Sequence, residues 1–246
     1  MDMAMGTIDI HTHVLPGVDD GAATPETSVQ LLTSLLSQGV HTVVLTPHYY
    51  SQREALSDFL ERRQEAVSSL AGVGQRVSGM SLYLGSEVYL SEYLFNNADL
   101  SPLCIGGSRY LLVELCHGAE LGKKDLEMLE RLGDVYGIRP ILAHIERYHH
   151  LVQDTRTIDR LLEAGCLLQS NLAVFAHFGS LRRRLVGLIR QQRLHLVGTD
   201  CHNMTDRTPQ FADNWQKVRQ LAGPSAELLM QQAAEILAEA EPLYEY

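Results

Sequence analysis

Short apolar runs alternate with stretches of helical periodicity along the whole chain. The first run, Ile8-Asp9-Ile10, predicts a strand that ends near the Pro16-Gly17 turn. Six later runs are apolar or rich in β-branched residues, and they predict strands at 41–46, 82–85, 110–113, 140–143, 166–169 and 195–198. Between them, apolar residues recur at helical spacing around 53–71, 123–136, 155–164 and 179–192. Two more helices are expected at the end of the chain.

The first helix has clear boundary signals. Thr24 is a typical N-cap residue, Pro25 suits the first helical turn, and Glu26 places a carboxylate near the positive end of the helix dipole. Gly39 predicts the end of this helix. The last residues, Tyr244-Glu245-Tyr246, are expected to be a frayed polar terminus rather than a mimic of a substrate tail.

Seven strand–helix units predict the fold class. Such alternation favours parallel strands covered by helices. Because the chain has no Gly-rich phosphate-binding fingerprint, a closed or distorted barrel is favoured over an open doubly wound sheet. No linker or repeat divides the sequence, so we expect one domain over residues 1–246.

Composition narrows the classes of function. The formal net charge of −10 argues against a nucleic-acid-binding surface. One basic helix face, formed by Arg182-Arg183-Arg184 with Arg190 and Arg193, is either a solvated surface or a site for an acidic partner. The sequence shows neither a secretion signal nor an apolar membrane span, and its four cysteines are scattered, so a cytoplasmic protein with reduced thiols is expected.

Residues that commonly bind metals follow almost every predicted strand. In a parallel barrel these positions meet at one rim, where such folds keep their active sites. His11 and His13, two residues apart on the first strand, point to the same face. The full set contains five imidazoles and four carboxylates: His11, His13, Asp20, His48, Glu87, Glu114, His144, Asp200 and His202. Nitrogen and oxygen ligands of this kind suit two or three Mn, Fe or Zn ions.

These residues lie in motifs that resemble the polymerase-and-histidinol-phosphatase (PHP) superfamily. The motifs are IDIHTHVLPGVDDG, TPH, GSEVY, AHIERY and GTDCHN, in the right order over about residues 7 to 210. They look most like the manganese-dependent protein-tyrosine phosphatases of bacterial capsule and exopolysaccharide loci, the CpsB type. The resemblance implies a distorted TIM-like barrel of PHP type with seven strands. The chain departs from the family pattern in a short extension before Gly6 and in Cys201.

The resemblance also implies how three ions would be held. His11, His13, Glu87 and Asp200 would hold the first. Glu87 would bridge to a second ion, shared with Glu114 and His144. The third would be held by Asp20, His48 and His202. Arg147 and Arg207 fall where the family keeps its phosphate-binding arginines, and a guanidinium can contact two phosphoryl oxygens at once.

The expected reaction is hydrolysis of phosphotyrosine on a protein by a metal-bound hydroxide. By resemblance, the substrate would be the tyrosine-rich tail of a bacterial tyrosine autokinase that controls polysaccharide synthesis. Tyr49, Tyr50, Tyr148 and His149 flank the ligand positions and either border the phenyl ring or serve in packing.

Three alternatives remain open at the level of sequence. Cys201 and Arg207 satisfy the Cys-x5-Arg pattern of thiolate phosphatases, but the residues between them contain no glycine and include His202. The same metal site could serve a small phosphomonoester such as histidinol phosphate. The chain could also be a non-catalytic, metal-dependent regulator that binds a kinase through the Arg182–Arg184 face.

Overall fold

The computed structural model describes residues 7–74, 77–116 and 121–245. Its ten strands are β1 (Thr7–Thr12), β2 (Val40–Leu45), β3 (His48–Tyr49), β4 (Ser81–Leu84), β5 (Glu87–Tyr89), β6 (Tyr110–Glu114), β7 (Arg139–Leu142), β8 (Leu167–Asn171), β9 (Leu196–Gly198) and β10 (Tyr244–Glu245). Its eight α-helices are α1 (Pro25–Ser37), α2 (Leu56–Gly74), α3 (Lys123–Tyr136), α4 (His149–Gln153), α5 (Thr155–Glu163), α6 (Ser180–Arg190), α7 (Ala212–Ala222) and α8 (Glu227–Leu237).

Two of the barrel strands are interrupted. Parallel pairing gives the orders β1-β2-β4 and β3-β5-β6-β7-β8-β9. Only Thr46-Pro47 separates β2 from β3, and only Gly85-Ser86 separates β4 from β5. Backbone hydrogen bonds continue across both breaks, from Gly85 N–H to Leu45 C=O at 2.8 Å and from Glu87 N–H to Pro47 C=O at 3.0 Å. Each pair therefore acts as one strand with a kink.

The seven resulting strands close into a barrel between β9 and β1. Asp200 N–H donates to His11 C=O at 2.8 Å, and His13 N–H donates to Cys201 C=O at 2.9 Å. Thr12 and Cys201 form a parallel bridge at the same place. The predicted distorted seven-stranded barrel is confirmed, and its closure brings the ends of the first and last barrel strands side by side.

The helix boundaries follow local chemistry. The Thr24 hydroxyl accepts a hydrogen bond from Thr27 N–H at 3.2 Å, as an N-cap does, and Gly39 follows α1 with a φ of 84°. The α3 boundaries agree with the prediction for 123–136. Helix α2 begins at Leu56 rather than 53 because Arg53 N–H donates to Tyr50 C=O in a turn.

The C-terminal end of the chain differs from the sequence prediction. Tyr244 and Glu245 form β10, which pairs antiparallel with Leu82 and Ser81 of β4. Leu243 N–H also donates to Leu82 C=O at 2.7 Å. The expectation of a frayed terminus is therefore wrong for these residues, because they satisfy the hydrogen-bonding groups along an open edge of β4. Tyr246 lies outside the described residues.

The barrel strands are buried on both faces. Every residue of β6 and of β8 is buried, as expected for strands with side chains inside and helices outside. This explains why the strands appear in the sequence as nearly continuous apolar runs. Across the described ranges, no helix combines the length and apolar character needed to cross a membrane.

Candidate metal centre

All nine predicted ligands lie at the carboxyl ends of the barrel strands or in the loops that follow. His11 belongs to β1, and the strand interruptions place His48 at the start of β3 and Glu87 at the start of β5. Seven of the nine are fully buried, whereas His48 is partly buried and Asp20 is 66% exposed. Buried ionisable groups in such number need partners of opposite charge.

The carboxylate of Glu87 lies at the middle of the cluster. Its Oε2 is 3.1 Å from Nε2 of both His11 and His13 and 3.2 Å from Nδ1 of His48. Its Oε1 is 2.7 Å from Nε2 of His144. Burial raises the pKa of Glu87, but the charge and hydrogen bonds of the neighbouring histidines outweigh it and hold the pKa well below its ordinary value.

Asp200 lies on the other side of the two strand-β1 histidines. Its Oδ1 is 3.5 Å from His11 Nε2, 3.3 Å from His13 Nε2 and 3.6 Å from His202 Nδ1. The backbone of Asp200 has a φ of 54°, a conformation uncommon for residues other than glycine. Such strain at a side chain surrounded by titratable groups is typical of functional sites.

Glu114 forms a second buried carboxylate beside Glu87. Its Oε1 is 3.4 Å from His48 Nδ1, and its Oε2 is 3.7 Å from His144 Nε2. Burial raises the pKa of Glu114 to about 7, and the negative charge of Glu87 adds to this rise. Two adjacent buried carboxylates are both ionised at neutral pH only where positive charge lies close to them.

Asp20 reaches the site from the loop after β1. Its Oδ1 is 3.4 Å from His202 Nε2 and 3.7 Å from His48 Nε2. The loop folds back so closely that a Cβ on Gly21 would lie 2.1 Å from the His13 carbonyl oxygen. Only glycine therefore fits after the two aspartates.

Three groups of side chains have ligand atoms within 4.8 Å of one another. They are His11, His13 and Asp200; His48, Glu87 and Glu114; and His13, Asp20, His48 and His202. His48 and His13 each occur in two groups, and His144 adjoins the cluster through Glu87. The structure thus brings together all nine predicted side chains, whereas their division among individual ions stays a prediction.

Several histidine nitrogens of the cluster are better placed to bind a cation than to form a hydrogen bond. His48 Nδ1 and His202 Nε2 are buried without a hydrogen-bond partner. The second nitrogen of several rings is already engaged: His13 Nδ1 contacts Asp19 Oδ2 at 2.7 Å, and His202 Nδ1 contacts the Asp200 carbonyl oxygen at 3.0 Å. A ring that donates through one nitrogen presents a lone pair at the other, as histidine ligands of metals do.

Three side chains that were not predicted from the sequence contact the predicted ligands. Asp19 also accepts a hydrogen bond from His48 N–H at 2.9 Å, and its pKa is lowered because the nearby His13 charge outweighs the effect of burial. Gln169 Oε1 accepts from His144 N–H at 2.7 Å and lies 3.4 Å from His11 Nδ1. Asn171 Nδ2 donates to Asp200 Oδ2 at 2.7 Å. Gln169 and Asn171 occupy alternate positions of the otherwise largely apolar strand β8, and this pattern could have identified them from the sequence.

Both predicted arginines border the cluster. Arg147 Nη2 lies 2.5 Å from Asp200 Oδ2, and Arg207 Nη2 lies 2.7 Å from Asp200 Oδ1. The two guanidiniums line a cavity of about 410 Å³ together with Asn171, His177 and Asp200. A second cavity of about 420 Å³ is lined by Asp20, His48, Tyr50, Arg53 and Arg62, among others.

The flanking aromatic residues divide into two roles. Tyr49 is buried and packs on Phe59 with ring centroids 4.7 Å apart, and the buried Tyr148 hydroxyl accepts from Leu115 N–H at 2.8 Å. Both therefore serve in packing. Tyr50 instead lines the second cavity, with its ring 5.3 Å from that of His48. The side chain of His149 lies outside the described part of the structure.

Cys201 has none of the features of a nucleophile. It is fully buried, and burial raises the pKa of its thiol far above the ordinary value. The thiolate alternative therefore lacks structural support.

Comparisons with known proteins agree with this architecture. A family model described as "Capsular polysaccharide synthesis, CpsB/CapC" matches residues 7–238. The putative tyrosine-protein phosphatase CapC of Staphylococcus aureus is 28% identical over 204 residues, covering 81% of this chain and 78% of the relative. Tyrosine-protein phosphatase CpsB of Streptococcus pneumoniae is also 28% identical, over 82% of this chain and 85% of the relative.

Solved structures share the fold. A chain from the crystal structures of YwqE from Bacillus subtilis and CpsB from Streptococcus pneumoniae, described as metal-dependent tyrosine phosphatases, has a TM-score of 0.77 at 19% identity over 96% of both chains. The histidinol phosphate phosphatase of Lactococcus lactis has a TM-score of 0.54 at 12% identity, over 89% of this chain and 94% of its own. Since the family model spans nearly the whole sequence, the chain belongs to the CpsB/CapC family of capsular polysaccharide synthesis.

Proposed function

We propose that the protein is a metal-dependent phosphatase that hydrolyses phosphotyrosine on a protein, with residues 1–246 acting as one phosphatase domain. The observation that carries the proposal is the convergence of nine imidazole and carboxylate side chains beside two arginines at one end of the barrel. The tyrosine phosphatase names of the CapC and CpsB relatives support the choice of substrate.

The metals are two or three Mn²⁺ ions, with Fe or Zn also compatible with the ligand types. The donors are His11, His13, Asp20, His48, Glu87, Glu114, His144, Asp200 and His202. The buried nitrogen atoms of His48 and His202 and the adjacent carboxylates of Glu87 and Glu114 are the features that fit cations. Bound divalent ions supply Lewis acidity and activate water for attack on phosphorus.

Arg147 and Arg207 bind the phosphoryl oxygens. Both now donate to Asp200, so their guanidiniums already face the end of the cavity nearest the ligands. When phosphate arrives, the same N–H groups turn to its oxygens and stabilise the charge that develops there. Tyrosinate is a tolerable leaving group, because the pKa of tyrosine is about 10.

The natural partner is the phosphorylated tyrosine-rich tail of a bacterial tyrosine autokinase in the cytoplasm. The family's assignment to capsular polysaccharide synthesis supports this choice, since such a kinase would act in the same process.

Chelation and metal restoration test the proposal. Purified protein is analysed for metal content, treated with a chelator, reloaded with Mn²⁺ and assayed on a phosphotyrosyl peptide and on histidinol phosphate. We expect chelation to abolish hydrolysis of the peptide and Mn²⁺ to restore it. Glu87→Gln should lose at least about a thousandfold in activity, because the central carboxylate loses its charge.

Cys201→Ser is the matched control, since it changes a buried residue beside the same ligands. It should keep most of the activity. Loss of activity in Cys201→Ser with no effect of chelation would support the thiolate route instead. Preference for histidinol phosphate would favour a small-molecule phosphatase, and binding of phosphotyrosyl peptide without release of phosphate would favour the regulator.

A further inference from the structure

A surface outside the metal centre combines an exposed aromatic ring with several arginines. Phe178 is 90% exposed, by far the most exposed large apolar side chain in the described residues. The guanidinium carbon of Arg182 lies 4.2 Å from the centre of its ring, within the range of a cation–π contact. Arg183 and Arg184 follow on the same helix and are exposed. We call Phe178 and Arg182–Arg184 the Phe178 surface.

The positive charges of this surface are not neutralised. Arg182, Arg183 and Arg184 make no ion pair with any carboxylate of residues 7–74, 77–116 or 121–245. By contrast, the neighbouring Arg193 pairs with Asp159. The three arginines occupy the first two turns of α6, where a helix favours acidic side chains. Interactions within the described residues therefore do not explain why three arginines occur here. The cluster also contrasts with the net charge of the chain, which is −10.

The Phe178 surface adjoins the proposed phosphate-binding cavity. His177, the residue before Phe178, lines this cavity together with Arg147 and Arg207. Ala173 of the same segment also lines it. A polypeptide that places a phosphotyrosine in the cavity can thus continue directly over His177 onto Phe178 and the arginines.

We propose that the Phe178 surface binds acidic residues flanking the phosphotyrosine of the protein substrate. This inference rests on the proposed function and adds a determinant of sequence preference to it. Arg183 and Arg184 attract aspartate and glutamate side chains, and Phe178 with Arg182 provides a flat apolar and cationic contact for the peptide. Charge complementarity of this kind raises the rate of encounter and selects among partners.

Kinetics on three substrates tests the proposal. They are a phosphotyrosyl peptide with aspartate and glutamate on both sides, the same peptide with serine in their place, and p-nitrophenyl phosphate, all with Mn²⁺-loaded protein. In the unmodified protein we expect a lower KM for the acidic peptide than for the serine peptide. Added salt should reduce this preference, because exposed charges are screened.

Arg183→Glu should raise the KM for the acidic peptide roughly three- to tenfold, as expected for reversal of an exposed charge at a binding surface. Phe178→Ala should raise it about two- to fivefold through the loss of its aromatic contact. Neither change should alter kcat/KM for p-nitrophenyl phosphate, because neither residue contacts the metal ligands or the cavity arginines.

Arg160→Glu and Val135→Ala are the matched controls. Arg160 lies in the last turn of α5, which leads into the start of β8, and the 64%-exposed Val135 lies in the last turn of α3, which leads into the start of β7. Both positions are therefore at the opposite end of the barrel. Neither control should change the KM for the acidic peptide.

Several outcomes would overturn the proposal. The two peptides could have equal KM values in the unmodified protein, or Arg183→Glu could weaken all three substrates alike. Sedimentation could also show that Phe178→Ala separates a dimer without changing KM, which would make the surface a contact between copies. If the unmodified protein cleaves p-nitrophenyl phosphate but no phosphotyrosyl peptide, the proposed function itself fails, and the docking role falls with it.

Discussion

Individual side chains explain why the clustered histidines and carboxylates could be predicted from the sequence, whereas the residues that hydrogen-bond to them could not. Histidines and carboxylates at strand ends stand out against apolar strands, so His11, Glu87 and Asp200 could be named from the sequence. Asp19 looks the same as its neighbour Asp20, and only the loop's path shows that Asp19 contacts His13 while Asp20 faces His48 and His202. The contacts of two adjacent aspartates depend on the backbone conformation of the loop, which the sequence alone does not reveal.

Asp19→Asn should weaken metal binding. Asparagine keeps the size of the side chain but removes the charge that makes His13 a stronger donor. We expect an affinity for Mn²⁺ lower by about 10- to 100-fold, the usual cost of losing a partner of a histidine ligand. Titration of the metal-free protein by calorimetry measures this change. The exposed Asp134→Asn is the control, and equal affinities in the two variants would contradict the role of Asp19.

At the scale of elements, the interrupted strands were the least predictable feature. Pro47 and Gly85 are typical of strand ends, so β3 and β5 could not be foreseen from the sequence. Each is too short for periodicity to detect. The boundaries of α1 and α3, in contrast, follow from caps and apolar spacing and were predicted correctly.

Arg63 contacts the two residues that separate β4 from β5. It is buried, and it donates to Gly85 C=O at 3.1 Å, Ser86 Oγ at 2.8 Å and Pro102 C=O at 2.7 Å. Burial lowers its pKa to about 10, so the guanidinium remains charged at neutral pH. This single side chain connects α2 to the backbone that precedes Glu87.

Arg63→Met should destabilise the protein by about 2–4 kcal/mol, because it removes the three hydrogen bonds that the buried guanidinium donates. Denaturant unfolding of the metal-free protein measures this loss. Mn²⁺ affinity should also fall, since the position of Glu87 is less well fixed. The exposed Arg156→Met should change neither quantity. If the stability of Arg63→Met were unchanged, other contacts would be sufficient to fix the backbone between β4 and β5.

For the whole molecule, the order of elements and the seven-stranded barrel followed from the sequence pattern. The added β10 did not, because a two-residue strand at the end of a chain has no periodic signal. The expectation of one domain over residues 1–246 stays a prediction.

Global stability should depend on the protonation of His195, which directly precedes β9 and therefore lies at the opposite end of this strand from Asp200. Burial lowers its pKa from 6.5 to about 4, and its Nδ1 accepts a hydrogen bond from Leu168 N–H at 3.0 Å. The unfolded chain therefore binds a proton at higher pH than the folded one. Stability from this group is complete above about pH 6.5 and is lost as the pH falls towards 4.

The comparison of His195→Gln with the unmodified protein isolates this contribution. Glutamine can still accept a hydrogen bond but does not titrate. Between pH 6.5 and 4 the variant should lose less unfolding free energy than the unmodified protein, by at most about 3 kcal/mol. The exposed His41→Gln should behave like the unmodified protein. Parallel pH profiles for all three would exclude His195 as the titrating group.

The contacts of Arg147 and Arg207 with Asp200 have a consequence for selectivity among anions. Both guanidiniums donate to the carboxylate of Asp200, which is also a proposed metal ligand. An incoming anion must compete with this internal occupant, so a singly charged ion gains little by entering. A doubly charged phosphate monoester can offer an oxygen to each arginine, so we expect the site to favour it over singly charged anions.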